Sequence, residues 1–358
     1  MADLLKDMFN RESLLEIALS IQKVHNPFLV EQFLDTVMDE TWPNLELKAR
    51  SRKITLGLSE YLPTNFSEAL SILEQALVGF SIAFFFPDFV EVYGQDEENW
   101  DLSINALARN TVYWSSEFAV RTFIINDEKR MMARMYEWSK DENEHLRRLA
   151  SEGCRPQLPW GQSLPKYKND PTPILPILEQ LKTDSSLYVR KSVANNLNDI
   201  SKTNPDLVVE IAKAWYGVNK DTNWIVKHGC RTLLKKGNHE VLVLLGYDDV
   251  TSIEASNFTL KTAVVSIGEN ITFTFTIMAK EKMKVRLEYG IDYVKANGQR
   301  NRKIFQISSS VFNRNEKRNY SRNHSFADLS TRKHYPGTHS VELIVNGVKQ
   351  GSLDFELV

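Results

Sequence analysis

The segments "DENEHLRRLASEG" (141–153), "DSSLYVRKSVANN" (184–196) and "DTNWIVKHGCRTL" (221–233) are three versions of one pattern. Each opens on Asp, runs four residues, places an aliphatic residue, and then sets two basic or imidazole residues side by side. In the first copy Leu146, Leu149 and Ala150 fall on one helical face. A helix with one apolar face cannot bury that face alone. Stacked copies bury it against each other, and this is the logic of helical repeat arrays.

The pattern predicts HEAT-like helix pairs stacked into an α-solenoid. Aligning the copies makes columns. Arg147, Arg190 and Lys227 share the first, and Arg148, Lys191 and His228 share the next, about 100° further round each helix. The first column is expected to pair with the Asp of its own repeat. The second reads as a row of cations for a phosphate backbone. Glu152, Asn195 and Thr232 form a third, polar column. Arg148 and Glu152 are four residues apart in the order less favourable for a helical ion pair, so a plain surface salt bridge would contribute little, about 0–1 kcal/mol.

Outside the repeats, the text up to about residue 246 is also helical, as in "SLLEIALSIQKVH" (13–25) and "FSEALSILEQAL" (66–77), the latter with Ser67 as the expected cap. Two cysteines, Cys154 and Cys230, argue against a disulfide framework and lack metal-site spacing. The N-terminus carries acids from residue 3, and the longest apolar run, "VGFSIAFFFPDFV" (78–90), contains Pro87 and is too short for a bilayer. A soluble, cytoplasmic protein is expected, nucleoid-associated if bacterial, with no membrane partner, metal or cofactor. The net charge of −2 hides an asymmetry. Residues 1–128 hold 9 basic against 21 acidic side chains, residues 129–249 hold 19 against 15, and residues 250–358 hold 16 against 10. Scattered solvated faces would explain this, and so would an anionic partner held by the later two parts.

From residue 250 the text alternates in short β-branched and aromatic runs, such as "AVVSIGENITFTFTIMAK" and "HSVELIVNGVKQGSLDFELV", with "NGVKQG" as a hairpin connection. An immunoglobulin-like β-sandwich is expected over 250–358, after a helical domain over 1–246. Between Lys295 and Arg322 lie eight basic residues and one acid, Glu316. These either block strand pairing at a charged edge or face DNA.

"YWSSEFAVRTFI", "HLRRLASEGCRPQLPW", "VRKSVANNLNDISKTNPD" and "WIVKHGCRTLLKKG" together resemble the AlkC branch of the DNA alkylation-repair glycosylases, over most of residues 100–246. The resemblance implies a base-excision-repair enzyme that hydrolyses the N-glycosidic bond of 3-methyladenine and 3-methylcytosine in duplex DNA, without flipping the base. It maps a catalytic carboxylate onto Glu117, a second onto Glu152, an arginine onto Arg148, and an aromatic residue onto Tyr113 or, with a one-residue gap, Trp114. A further tryptophan of related enzymes falls on Asn195, where a hydrogen-bonding or phosphate role replaces stacking.

From the residues alone, Glu117 has a plainer reading as a cap or as a partner of Arg121. Trp160, behind Pro159, is either a core anchor or a wedge against DNA. Arg155, Lys191, Asn198, Asp199, Lys227, His228 and Arg231 are candidates for contact with the DNA backbone. A carboxylate repels phosphate, so Asp199 is also open to reading as a third active-site acid or a cap. The expected whole is a monomeric DNA glycosylase, and the alternative is a non-catalytic HEAT-like scaffold binding DNA or protein.

Overall fold

In the helical repeats, the Asp that opens the second copy performs two tasks. The Asp184 side chain accepts from the Ser186 backbone amide at 2.8 Å, turning the chain into the helix Leu187–Ile200. The same carboxylate receives Arg147 of the preceding repeat, Nε to Oδ2 at 2.6 Å. Arg190 repeats the arrangement, lying 3.3 Å from Asp221. The two arginines of the first basic column are thus structural, but the partner of each is the Asp of the following repeat, and Lys227 is exposed. An arginine meets its own repeat only through backbone carbonyls, those of Asp141 and Glu142 for Arg147, and of Asp184 and Ser185 for Arg190.

The computed structural model describes residues 5–247, 250–329 and 332–358. Sixteen α-helices among them lead into eight β-strands, giving a mostly helical chain with a C-terminal all-β sandwich. The helix Glu144–Gly153 packs on the helix Leu187–Ile200 through small residues: the Ser151 and Ser192 hydroxyls are 2.6 Å apart, and Asn196 donates to the Ser151 carbonyl at 2.8 Å. The helix Phe66–Ala76 starts two residues earlier than a Ser67 cap implies, because Asn65, not Ser67, accepts from the Glu68 amide.

The described chain divides into two compact units, Met1–Asn204 with Asn219–Ile225, and Pro205–Val218 with Val226–Val358. Sequence character changes near residue 250, but the last helices group with the strands. Within the second unit, Lys284 donates to the Leu245 carbonyl at 3.1 Å, and the Tyr247 and Ser309 hydroxyls lie 2.6 Å apart.

The strands are β1 (Ile253–Leu260), β2 (Val264–Val265), β3 (Asn270–Ala279), β4 (Met283–Val294), β5 (Arg300–Phe312), β6 (Glu316–Ser325), β7 (Gly337–Val345) and β8 (Val348–Leu357). They form a three-stranded sheet, β1-β3-β6, and a five-stranded sheet, β2-β8-β7-β4-β5. Phe273, Phe275, Leu287, Ile291, Val341 and Leu343 fill the core between them. The β7–β8 hairpin turns at Asn346-Gly347, both with positive φ, 46° and 77°. The basic stretch 295–322 covers β5 and β6, each at an edge of its own sheet. Some of its cations are already paired: Arg302 holds Asp292 and Glu342, and Arg318 holds Glu316.

Candidate active site

One member of the second column, Arg148, meets acids. Arg148 projects from the helix Glu144–Gly153 with its side chain 16% exposed. It forms an ion pair with Glu117 and donates to the Ser115 hydroxyl at 2.7 Å. Its Nη2 lies 3.8 Å from Glu152 Oε1. Two carboxylates from distant segments therefore share one guanidinium. Ser115 in turn donates to Glu117 Oε2 at 2.8 Å.

Glu117 sits in a turn just before the helix Val120–Asn126, not on a helix. Arg121 is not its partner. The Arg121 guanidinium is fully buried and donates to the carbonyls of Gly153, Arg155 and Gln162. Burial lowers its pKa to about 10, which leaves it charged at neutral pH. It ties the 153–162 loop to the body of the unit. The loop leaves its helix at Gly153, where a Cβ would lie 2.6 Å from Val120 Cγ2.

Behind Glu152 the charges continue inward. Arg155 Nη1 donates to Glu152 Oε1 at 2.6 Å, and Arg155 Nε donates to Asp199 Oδ2 at 2.8 Å. Lys202 closes the row on Asp199 Oδ1 at 2.8 Å. Burial works to lower the Arg155 pKa, but Glu152 and Asp199 together outweigh it and raise it. The row Glu117–Arg148–Glu152–Arg155–Asp199–Lys202 alternates in sign and sums to zero. The protein hydrogen bonds of the two glutamates go to one oxygen each, Glu117 Oε2 and Glu152 Oε1. Glu117 Oε1 and Glu152 Oε2 have no hydrogen bond from a protein group among the described residues.

Several expected surface contacts are corrected by this burial. Arg155, Asn198 and Asp199 are 7%, 4% and 1% exposed, so none offers its side chain to a phosphate. Trp114 is core: it packs on Phe86 and donates from Nε1 to the Phe80 carbonyl at 2.7 Å. Tyr113 beside it is exposed. Trp160 is 72% exposed and is no core anchor. Lys191 is exposed and Asn195 half-buried on the helix after Arg148. Lys227, His228 and Arg231 belong to the second unit, where Lys227 is exposed and Arg231 donates to the His228 carbonyl at 2.8 Å.

Two neighbours escaped the sequence reading. Ser115 links Glu117 to Arg148. Tyr188 lies under Arg148, ring centroid 5.3 Å from the guanidinium carbon, and meets His145 edge-on at 5.6 Å. His145 and Tyr188 occupy the same place in successive repeats, so the column was there to be read. No group of three or more His, Cys, Asp or Glu side chains among the described residues is arranged to hold a metal ion, and no described helix is long and apolar enough to cross a membrane.

Residues 95–240 match the family described as DNA alkylation repair enzyme, and residues 254–358 match the C-terminal Ig-like domain family of YhaZ. The chain is 48% identical to YhaZ of Bacillus subtilis (strain 168), itself described as uncharacterized, with 100% of each chain covered. It is also similar to the Pseudomonas fluorescens alkylpurine DNA glycosylase AlkC, solved bound to DNA containing an abasic site analog. That match has a TM-score of 0.94 and 36% identity, and covers 99% of this chain and 100% of the other. The chain thus belongs to the AlkC-type DNA alkylation-repair glycosylases, with an immunoglobulin-like domain at its C-terminus.

Proposed function

We propose that this protein hydrolyses the N-glycosidic bond of 3-methyladenine and 3-methylcytosine in duplex DNA, with Glu117 and Glu152 as its catalytic carboxylates. One observation carries the assignment. Two glutamates share Arg148, and each keeps one oxygen clear of protein hydrogen bonds. That is the arrangement needed beside a sugar that turns cationic while water approaches it.

The chemistry explains why two acids suffice. An N3-alkylated base already carries positive charge. When the C1′–N bond breaks, the bonding electrons go to the base, which leaves neutral without being protonated. Positive charge then grows on the deoxyribose, where fixed carboxylates stabilise it. A water attacks C1′, and a carboxylate takes its proton. Arg148 holds both acids in place. Because the protein acts on the sugar, the lesion need not leave the stack, which supports chemistry without base flipping. Exposed Tyr113, Trp160, Lys191 and Lys227 are left to contact DNA.

The test is base release from methylated duplex DNA under single-turnover conditions. Glu117→Gln and Glu152→Gln should each slow release of both bases by roughly 10²–10³-fold while DNA binding persists. Unchanged release by both variants would sink these roles. Wild-type protein that binds methylated DNA in a salt-sensitive way and frees no base would favour a non-catalytic scaffold.

A further inference from the structure

A cavity of about 330 Å3 lies in the first unit beside the carboxylates, and the mechanism above does not use it. Ser115 lines it and also holds Glu117 and Arg148, so the cavity adjoins the site where the base is cut free. Its walls include Leu47, Phe84, Phe118 and Trp160. Trp160 is kept at the rim by a backbone with φ +62°, a conformation a bulky residue adopts only when its surroundings hold it there. The hold is visible. Lys48 donates to the Trp160 carbonyl at 2.8 Å while its ammonium sits 4.5 Å from the Phe118 ring centroid.

The charged groups of the cavity balance. Lys48 and Arg52 face Asp88 and Glu91. Arg52 binds Asp88 through two hydrogen bonds of 2.8 Å and lies 3.7 Å from Glu91. Burial, then the neighbouring Asp88, raises the Glu91 pKa. The four formal charges cancel, and Lys48 is engaged by the Trp160 carbonyl and the Phe118 ring, so the cavity carries no net charge to select a phosphate or an ammonium group. Aromatic faces with a polar, neutral edge suit a flat heterocycle that stacks and hydrogen-bonds. The volume is at the small end for ligand sites, about 300–1,000 Å3, which favours one heterocycle over a nucleotide.

We propose that this cavity binds the free purine base released by the reaction. The proposal rests on the reading that the neighbouring carboxylates cut out a purine, but it is tested without catalysis. Full-length protein is titrated calorimetrically with free 3-methyladenine, and in parallel with adenine and cytosine. Saturable one-site binding of the purines is expected, with cytosine weaker. Leu47→Trp, at the first turn of its helix, fills the cavity from a half-buried position away from the carboxylates. It should weaken purine binding by about tenfold or more and relieve inhibition by added 3-methyladenine. Its single-turnover release should stay at the wild-type rate, which also shows that it folds. Glu91→Gln gives a second, near-isosteric check and should retain purine binding, because the cavity favours a neutral edge. No binding of free purine at millimolar concentration overturns the proposal, as does equal binding by Leu47→Trp. So does a response seen only with 2-aminopurine placed beside the lesion in duplex DNA, which would assign the cavity to an unstacked nucleotide. Purine binding by a protein that releases no base would leave this site standing and remove the proposed reaction.

Discussion

Arg155 can be distinguished as a DNA contact or as a support for Glu152 by combining two substitutions. Its guanidinium is buried between Glu152 at 2.6 Å and Asp199 at 2.8 Å. At an effective dielectric of about 20, each contact corresponds to a gross attraction of about 6 kcal/mol, most of it offset by desolvation. Arg155→Met strands two buried carboxylates, and breaking such a pair costs about 3–5 kcal/mol. Lys202 still compensates Asp199, and Arg148 lies 3.8 Å from Glu152, so the low end applies. For a unit of this size that is a fall in melting temperature of roughly 6–12 °C.

The kinetic consequence is sharper. Without Arg155, Glu152 Oε1 loses its closest partner, and a misplacement of about 1 Å slows a reaction by about 10²-fold. If Arg155 acts only through Glu152, the loss disappears once Glu152 is gone. Glu152→Gln with Arg155→Met should then release base at the Glu152→Gln rate within about threefold. A phosphate contact predicts instead that the two losses multiply, to about 10⁴-fold or beyond, and that the salt slope of DNA binding falls by about one. Single-turnover release at 20 °C, with the salt dependence of binding, measures both. Multiplying losses would refute the positioning role.

Two further results are expected. Trp160→Ala should weaken DNA binding by about 1–3 kcal/mol, as for loss of a stacking contact, and leave melting unchanged; Trp114→Ala should destabilise by about 3–5 kcal/mol as a core truncation. Reversed effects in binding and melting assays would contradict the placement of both rings. In the sandwich, burial lowers His324 from 6.5 to about 4, with Arg332 and His334 adding to it, while its ring nitrogens meet the Tyr289 and Tyr293 hydroxyls at 2.9 and 2.6 Å. His334 beside Asp328 and His339 against the Tyr335 carbonyl are lowered by burial too. Between pH 6.5 and 4 the unfolded chain binds more protons, so stability is full above 6.5 and falls as acid is added, by up to about 3 kcal/mol for His324. His324→Gln should flatten that slope in melting curves between pH 7 and 4.5, and an unchanged slope would reject it.

Helices, repeats and the sandwich were legible because periodicity is local. So was the gathering of Arg148, Glu117 and Glu152 once the resemblance aligned them. What escaped depends on distant partners. Asp199 lies 44 residues from Arg155, and nothing near either residue says that they meet in the interior. Charged residues there read as surface by default. Tyr113 and Trp114 are adjacent and chemically similar, and only packing tells the exposed ring from the buried one. β1 was not picked out as a strand because its polar Ser-Asn pair interrupts alternation, at a register shift where Asn257 has φ 54°. The apolar stretch around Glu117 does not announce the turn at 117–119 that lets its carboxylate reach Arg148.

The repeat itself explains why the site arises where it does. In the first column, Arg147 and Arg190 each spend their charge on the Asp that starts the next repeat. Those pairs fix the spacing and rotation of neighbouring helices. A residue one place further on is turned by about 100° and takes no part in that lock. Lys191 remains exposed there, whereas Arg148 is met by acids from a turn and from its own helix. Successive repeats therefore place a cation at this position, and the proposed chemistry needs carboxylates against one of them, Arg148. Arg148→Gln isolates the two roles: it should leave the Arg147–Asp184 lock intact, seen as a retained cooperative melting transition, while single-turnover base release falls sharply, and an unchanged release rate would contradict the assignment.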